Sequence, residues 1–361
     1  MPTGTFSLPI VTDVAVDDPW KRAYLNPPAF GEHKLLSFPL KDVRSEIFEQ
    51  ESSDFLSQHG FTAVNYPTRL QNRSDFESLH SLDAVYFTEV KDIIKRVTGA
   101  TEVFITNSIL RRTPENQGKA VLPGGFTKPT PSKSVNPIVS QAGVLLNKGI
   151  GPARRPHLDY TPLSARQVTR QWRVDIHDAA KRRGIISLED DICREEGVSV
   201  IESLSDNIIA ERYNKSGGRR YAAFSVWRPL VRVERDPLAM LPQKDFVEYC
   251  ESQDSALELC DYLIRVPGDS TLGGDFLRQL ACLKVKPWEQ QRIEQTTDHL
   301  PWYYISNQTP DEVLLFKFFD SAALGADAKE AGAPIHGSPV LSEETSGAPR
   351  ESIEVRLMAF W

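Results

Sequence analysis

Hydrophobic residues recur along the chain in short runs separated by polar turns rich in Pro and Gly, a pattern that favours many short elements. Residues 74–99 ("SDFESLHSLDAVYFTEVKDIIKRVTG") have the spacing of an amphipathic helix, with Ser74 as the N-cap and Gly99 at its end. Residues 101–112 ("TEVFITNSILRR") contain many β-branched side chains and predict a strand. The first third of the chain therefore mixes helix and strand.

The same criteria predict more strands than helices in the rest of the chain. Strands are expected at 219–234 (ending at Pro229 or continuing as an edge strand), twice within 302–321 and twice within 326–361. Helices are expected at 164–184, with an acidic, solvated continuation at 187–197, and at 243–253. Strands spread along the chain with long excursions between them indicate a mainly β fold, an antiparallel jelly roll with helices packed outside.

Length and composition fit one folded domain. With 361 residues, 40% of them hydrophobic, the chain can bury a sizeable core, and it shows no internal repeat or long linker. We predict a single domain over 1–361 with an N-terminal elaboration over about 1–100. Residues 113–140 are rich in Pro, Gly, Ser and Lys, and we expect them to form a mobile cover over the open end of the barrel.

Net charge and residue usage limit the classes of partner and the compartment expected for the chain. The net charge is −7 and no basic stripe could neutralise a run of phosphates, so nucleic acid is not an expected partner. No signal peptide and no run of roughly eighteen apolar residues is found, so we expect a cytoplasmic protein that does not enter a membrane, with a homodimer left open. The four cysteines, at 193, 250, 260 and 282, lack CxxC spacing and are expected to be buried thiols.

The segment "GPARRPHLDYTPLSA" (151–165) contains the first candidate for chemistry. His157 and Asp159 are two residues apart, so in an extended segment both side chains project to the same side. His336, in "APIHGSP", precedes a predicted terminal strand and supplies a third donor. Two histidines and one carboxylate form the triad that leaves open positions on Fe(II). Spacing alone also allows the alternative of polar surface residues in turns.

The last strand, "PRESIEVRLMAFW", has one polar and one apolar face. Arg350, Ser352, Glu354 and Arg356 alternate with apolar residues. One reading is a solvated face with ion pairs that contribute little to stability. The other is that Arg350 and Ser352 hold the far carboxylate of a dicarboxylate cosubstrate, since a guanidinium binds a carboxylate through two parallel hydrogen bonds. Arg356 and Arg228 are the other candidates for this role.

Four segments, in this order, resemble the fungal and bacterial hydroxylase/desaturase family that includes gibberellin desaturase-like and cephem methoxylase-like proteins: "HLDYTPLSA", "VWRPL", "WYYISNQTPDEVLLFKFFDS" and "APRESIEVRLMAFW". The resemblance covers roughly residues 100–361. It implies a non-haem Fe(II)- and 2-oxoglutarate-dependent dioxygenase on a double-stranded β-helix of the cupin type. Such an enzyme uses O2 to abstract hydrogen from a small molecule in secondary metabolite biosynthesis, giving hydroxylation, desaturation or oxidative ring closure.

The resemblance also implies roles for particular residues. His157, Asp159 and His336 would be the iron ligands, and Arg350 with Ser352 resembles an Arg-x-Ser clamp for 2-oxoglutarate. The chain departs from the family pattern in two places, and both concern the identity of the substrate more than the metal. Ser225 occupies a position where Asn is expected, and residues 185–205 look like an insertion.

Further candidates for contacts with the substrate are less specific. Trp227 is expected to line the cavity, although a core position is equally consistent with its surroundings, and Tyr160 is a candidate donor behind the metal ligands. Arg111 and Arg112 end a predicted strand and are candidates to bind an anionic substrate, or they form a solvated pair.

Two other classes of protein use some of the same residues. A zinc-dependent hydrolase would use the His/Asp/His site with a metal-bound water, but it would need a general base and would have no use for Arg350 and Ser352. A non-catalytic jelly roll binding protein would make the metal motif incidental. Metal content and oxygen consumption with 2-oxoglutarate separate the three classes.

Overall fold

The computed structural model describes residues 2–10, 32–112, 151–198, 206–252, 255–286, 299–325, 327–342 and 347–361. The predicted cover, residues 113–140, lies outside the described residues.

Strands in the described residues form two β-sheets. Their bounds are β1 (Thr3–Ile10), β2 (Glu32–Asp42), β3 (Phe61–Asn65), β4 (Glu102–Arg112), β5 (His157–Leu158), β6 (Tyr221–Pro229), β7 (Ala239–Leu241), β8 (Leu257–Val266), β9 (Phe276–Val285), β10 (Trp302–Tyr304), β11 (Glu312–Asp320), β12 (Ile335–Gly337), β13 (Val340–Leu341) and β14 (Glu351–Phe360). The larger sheet has the order β13-β1-β2-β10-β7-β12-β5-β9-β8, and the smaller has the order β3-β11-β6-β14-β4. The described strand pairs are antiparallel except for β2 with β10.

Helices lie between and outside these strands. Their bounds are α1 (Arg44–Glu49), α2 (Ser52–His59), α3 (Phe87–Thr98), α4 (Pro162–Gln171), α5 (Val174–Arg182), α6 (Ile185–Glu195), α7 (Asp206–Lys215) and α8 (Gln243–Ser252). A single turn (Leu79–Ser81) and a π-helical turn (Leu82–Tyr86) lead into α3.

Several boundaries differ from those expected. The helical region around α3 begins not at Ser74 but after Asn72, which exchanges capping hydrogen bonds with Asp75. The helix expected over 164–184 is two helices, because Arg173 adopts an extended conformation (φ −146°, ψ 142°). The acidic segment expected to be solvated belongs to α6, where Glu189 is buried and accepts hydrogen bonds from Arg170 and from the Tyr221 hydroxyl.

Apolar and polar side chains alternate along β14, so one face of the smaller sheet packs into a hydrophobic core and the other carries buried polar side chains. Ile353, Val355 and Leu357 pack with the apolar side of α3 in one buried cluster. Ser352 and Glu354 point to the opposite face and are also buried, so the reading of this face as solvated is wrong. The polar face of β14 therefore lies inside the barrel.

Gly60 offers a test of the packing at the end of α2. Its backbone is left-handed (φ 77°), and an added Cβ would lie 2.1 Å from the carbonyl oxygen of Gly332. Gly60→Ala should therefore lower the free energy of unfolding by more than the roughly 1–2 kcal/mol of the left-handed conformation alone, as measured by urea denaturation. Gly197→Ala is the matched control, because Gly197 has a similar φ of 70° and no neighbour within 4 Å of the added Cβ. Equal losses in the two variants would contradict the steric argument.

Candidate metal centre

The two candidate metal-binding histidines lie on neighbouring strands. In the antiparallel pair formed by β5 and β12, His336 is directly opposite His157, and the centroids of the two rings are 4.4 Å apart. Asp159 follows His157 by two residues and projects its carboxylate toward both rings. Strand pairing therefore brings together three side chains that are far apart in the sequence.

Distances among the three side chains suit one ion. Asp159 Oδ2 is 3.8 Å from His157 Nε2 and 3.4 Å from His336 Nε2. Metal–ligand bonds of roughly 2.0–2.2 Å place two ligand atoms of one ion up to about 4.4 Å apart. Among the described residues, this is the one group of three or more His, Cys, Asp or Glu side chains whose ligand atoms could hold a metal ion, and these atoms all lie within 4.8 Å of one another.

Backbone carbonyls select the tautomer of each histidine. Nδ1 of His157 lies 2.8 Å from the carbonyl oxygen of Arg155, and Nδ1 of His336 lies 3.2 Å from that of Pro334. A carbonyl only accepts, so each Nδ1 carries the proton and each Nε2 presents a lone pair to the centre. Burial, with the nearby His336, lowers the pKa of His157 to about 3, so the ring is neutral, as a metal ligand must be.

The Asp159 carboxylate has one engaged and one unpartnered oxygen. Oδ1 lies 3.1 Å from a guanidinium nitrogen of Arg356, whereas the buried Oδ2 has no hydrogen-bond partner among the described residues. Burial acts to raise the pKa of this carboxyl, but the nearby Arg356 guanidinium holds it well below its usual value. A buried carboxylate oxygen without a donor, facing two imidazole lone pairs, fits a divalent cation.

A cavity lies next to this centre. Its lining includes His157, His336, Arg111, Trp227, Arg350 and Glu354. The candidate metal-binding histidines and the polar face of β14 therefore line the same cavity.

Arg350 is a buried cation without a carboxylate partner among the described residues. Its side chain is almost inaccessible, and one guanidinium nitrogen donates to the Asp236 carbonyl oxygen (2.7 Å) and to Ser338 Oγ (3.1 Å). Nε has no partner, and the guanidinium lies 5.3 Å from the centroid of the Trp227 ring. Burial, with the nearby Arg111 charge, lowers the pKa of Arg350 to about 9. An anion in the cavity would supply the missing charge.

Ser352 lies on β14, two residues after Arg350. Its side chain is fully buried, and its hydroxyl has no hydrogen-bond partner in the described structure. A buried hydroxyl without a partner costs free energy unless a ligand satisfies it.

The remaining candidates are divided between the cavity and other surroundings. Arg111 and Trp227 line the cavity. Arg228 does not, contrary to expectation: it lies on the opposite face of β6 and donates to the carbonyl oxygens of Pro310 (2.6 Å) and Tyr66 (2.8 Å).

Arg112 pairs with Glu77 (2.5 Å) and with Glu351 (3.3 Å) outside the cavity lining. Tyr160 is buried under the guanidinium of Arg278, 4.2 Å from its ring centroid.

Two residues near the centre were not among the sequence-based candidates. Arg278, on β9, donates to the backbone carbonyl of Asp159 (2.7 Å), and Phe318 stacks on the His336 ring with centroids 5.9 Å apart. The sequence around these two residues does not indicate that they lie near the centre. Arg278 is brought there by the pairing of β9 with β5, and Phe318 is directed there by an irregularity in β11.

Comparison with known proteins agrees with this geometry. A family profile described as "Oxidoreductase/YMDC permease-like domain" matches residues 18–188 and 275–360, more than half of the chain. The chain belongs to this family.

Three relatives of the chain come from fungi. The chain is 28% identical to oxidoreductase chry3 of Gibberella zeae, over 95% of this chain and 94% of that protein. It is 28% identical to the gibberellin cluster GA4 desaturase of Gibberella fujikuroi, over 89% and 85% of the two chains. It is 24% identical to the Fe(II)/2-oxoglutarate-dependent dioxygenase nvfI of Aspergillus novofumigatus, over 86% and 80%.

Solved structures show the same fold. A structure of the iron and alpha-ketoglutarate-dependent endoperoxidase NvfI aligns with a TM-score of 0.54 at 21% identity, over 100% of this chain and 98% of that one. The predicted jelly roll is therefore confirmed. The relatives confirm the resemblance to the hydroxylase/desaturase family and, with it, the predicted enzyme class, an Fe(II)/2-oxoglutarate-dependent dioxygenase. In the described residues, no helix has the length and apolar character needed to cross a membrane.

Proposed function

We propose that His157, Asp159 and His336 hold Fe(II), and that 2-oxoglutarate binds in the adjacent cavity with its far carboxylate on Arg350 and Ser352. The protein would then use O2 to oxidise a small molecule of specialised metabolism by hydroxylation, desaturation or oxidative ring closure. The observation that carries the proposal is that one cavity is lined both by the two histidines and by a buried guanidinium lacking an acid.

When bound, Fe(II) with 2-oxoglutarate and O2 supplies the oxidising power needed to break an unactivated C–H bond. The protein contributes binding and orientation. The carbonyls behind His157 and His336 keep both rings in the ligand tautomer. Arg350 and Ser352 offer two unpartnered donors to a carboxylate, the guanidinium Nε and the hydroxyl. The buried Trp227 ring beneath Arg350 keeps water from this end of the cavity.

A zinc hydrolase is less well supported by the same cavity. Glu354 is the carboxylate among the residues named in its lining, and it already accepts a hydrogen bond from Arg356 (2.7 Å) and pairs with Arg111 (3.6 Å). A carboxylate held by two guanidiniums is a poor general base, because they stabilise its charged form: their presence lowers the pKa of Glu354 against the effect of burial.

The test combines metal analysis with turnover. Purified protein reconstituted anaerobically with Fe(II) should consume O2 and release succinate only when 2-oxoglutarate is present, and a panel of amino acids, terpenoids and peptides should reveal the substrate class by faster succinate release. Zinc that supports hydrolysis, without oxygen consumption, would favour the hydrolase. A protein that binds no metal would favour the binding role.

The compartment and assembly form part of the same proposal. The cytoplasm is supported by the four cysteines, none of which forms a disulfide in the structure, as is usual in a reducing compartment. A homodimer would be supported by size-exclusion chromatography giving about twice the chain mass of 40.6 kDa. A single domain over 1–361 would unfold in one cooperative transition.

A further inference from the structure

Arg356 lies on the inner face of β14 and is held by three neighbours. Its terminal nitrogen is 3.1 Å from Asp159 Oδ1, and its Nε donates to Glu354 Oε1 at 2.7 Å. Its guanidinium carbon lies 5.2 Å from the centroid of the Phe318 ring. The planar guanidinium thus joins two carboxylates while stacked on an aromatic ring.

This arrangement divides the two oxygens of Asp159 between different tasks. Oδ1 is occupied by Arg356, and Oδ2 faces Nε2 of both His157 and His336. Rotating the carboxylate so that both oxygens reach the centre would break the contact with Arg356. A carboxylate that binds an ion through one oxygen leaves more coordination positions open than one that binds through two.

Two irregularities in the smaller sheet create the geometry. The register between β14 and β4 shifts after Arg356, and the register between β11 and β6 shifts at Phe318. Bulges of this kind re-aim side chains next to functional sites. The Phe318 ring contacts both His336 and Arg356. One aromatic ring therefore supports a candidate metal-binding histidine and also the guanidinium that contacts Asp159.

The backbone of Asp159 is fixed as well. Arg278 donates to its carbonyl oxygen at 2.7 Å. Glu354 balances the charge of Arg356, and Arg111 lies 3.6 Å from the other oxygen of Glu354. Arg356 is therefore paired with two acids already present in the chain, unlike Arg350.

We propose that Arg356 is a positioning residue that fixes the Asp159 carboxylate as a one-oxygen metal ligand, and that it does not bind the cosubstrate. The proposal rests on the proposed function for the identity of the metal site. Arg356 was a sequence-based candidate for binding the far carboxylate of 2-oxoglutarate, and the proposal gives it a different role.

The test measures Co(II) affinity and the visible spectrum of bound Co(II) without 2-oxoglutarate, so that no turnover is needed. Arg356→Gln should weaken Co(II) binding by roughly 10- to 100-fold, the usual effect of losing a partner of a metal ligand, and should alter the spectrum. Arg356→Lys keeps the charge but cannot reach both carboxylates with a planar fork, so a smaller loss in the same direction is expected. Arg228→Gln is the matched control: it removes a buried guanidinium from the neighbouring strand β6, on the opposite face of the sheet from Asp159, and Co(II) affinity of the folded variant should be unchanged.

Each outcome decides the proposal. Unchanged Co(II) affinity and spectrum in Arg356→Gln, with weakened 2-oxoglutarate binding, would make Arg356 the clamp and overturn it. If circular dichroism shows that Arg356→Gln does not fold, Arg356→Lys replaces it, and native-like Co(II) affinity and spectrum in that variant would also overturn the proposal. Wild-type protein that binds neither Co(II) nor Fe(II) would instead refute the proposed metal site, and the inference with it.

Discussion

Replacing His336 by alanine should abolish iron binding and turnover together. The change leaves His157 and Asp159 as the two remaining donors of the described centre and removes the ring whose Nε2 lies 3.4 Å from Asp159 Oδ2. The measurements are iron content after anaerobic reconstitution and succinate release with 2-oxoglutarate. His177→Ala is the matched control, because His177 lies on α5 beside Asp178 and outside the described centre.

Iron-dependent turnover that survives in His336→Ala would remove His336 from the ligand set. Loss of turnover with full iron content would instead place the defect in the cavity that His336 also lines. The triad is supported when iron content and turnover fall together while the thermal unfolding transition of the variant remains cooperative.

Local periodicity predicted the parts of the site that lie within one strand. The His157/Asp159 spacing places both side chains on one side, and the alternation of β14 separates Ile353 and Val355 from Ser352 and Glu354, as the structure has them. What periodicity left open was whether the polar face is solvated or internal. That depends on which sheet covers it, a tertiary property.

Arg228 shows where the sequence-based reasoning went wrong. It adjoins Trp227, and adjacent residues of a strand point to opposite faces, so both could not line one cavity. Trp227 lies beneath Arg350, while Arg228 packs on Tyr86 at the other face of the sheet. The two-residue alternation of a strand was enough to exclude either Trp227 or Arg228 from the cavity lining.

The role inferred for Arg356 depends on features that have no local signal. Arg356 follows Arg350 by an even number of residues in the sequence, so the alternation expected of a strand makes both candidates for the clamp. Their surroundings differ because Arg356 meets the acids Asp159 and Glu354, whereas Arg350 meets a carbonyl and a hydroxyl. These contacts require the pairing of distant strands and the bulges beside them.

Arg350→Ala, just before β14, should weaken 2-oxoglutarate binding more than a change at any residue on the inner face of that strand. Removing one partner of a buried, hydrogen-bonded charge pair costs about 2–5 kcal/mol, which corresponds to roughly thirty-fold to several thousand-fold in affinity. Ser352→Ala removes one hydroxyl donor to a charged group and should cost about 1.5–3 kcal/mol. Iron binding should survive both changes, because neither residue belongs to the group of possible ligands. Titration of 2-oxoglutarate into the anaerobic iron-loaded protein measures both effects.

Arg228→Ala is the matched comparison for Arg350→Ala, since each removes a fully buried guanidinium, one from β6 and the other from the position just before the neighbouring strand β14, but of the two only Arg350 lines the cavity. We expect Arg228→Ala to lower the free energy of unfolding, because the carbonyls of Tyr66 and Pro310 lose their donors, and to leave 2-oxoglutarate affinity in the folded protein unchanged. An unchanged affinity in Arg350→Ala, with a large loss in Arg228→Ala or in Arg356→Ala, would move the clamp to that residue and refute the assignment. The sharpest support is a double result: a large affinity loss with full iron content in Arg350→Ala, and reduced metal affinity in Arg356→Ala.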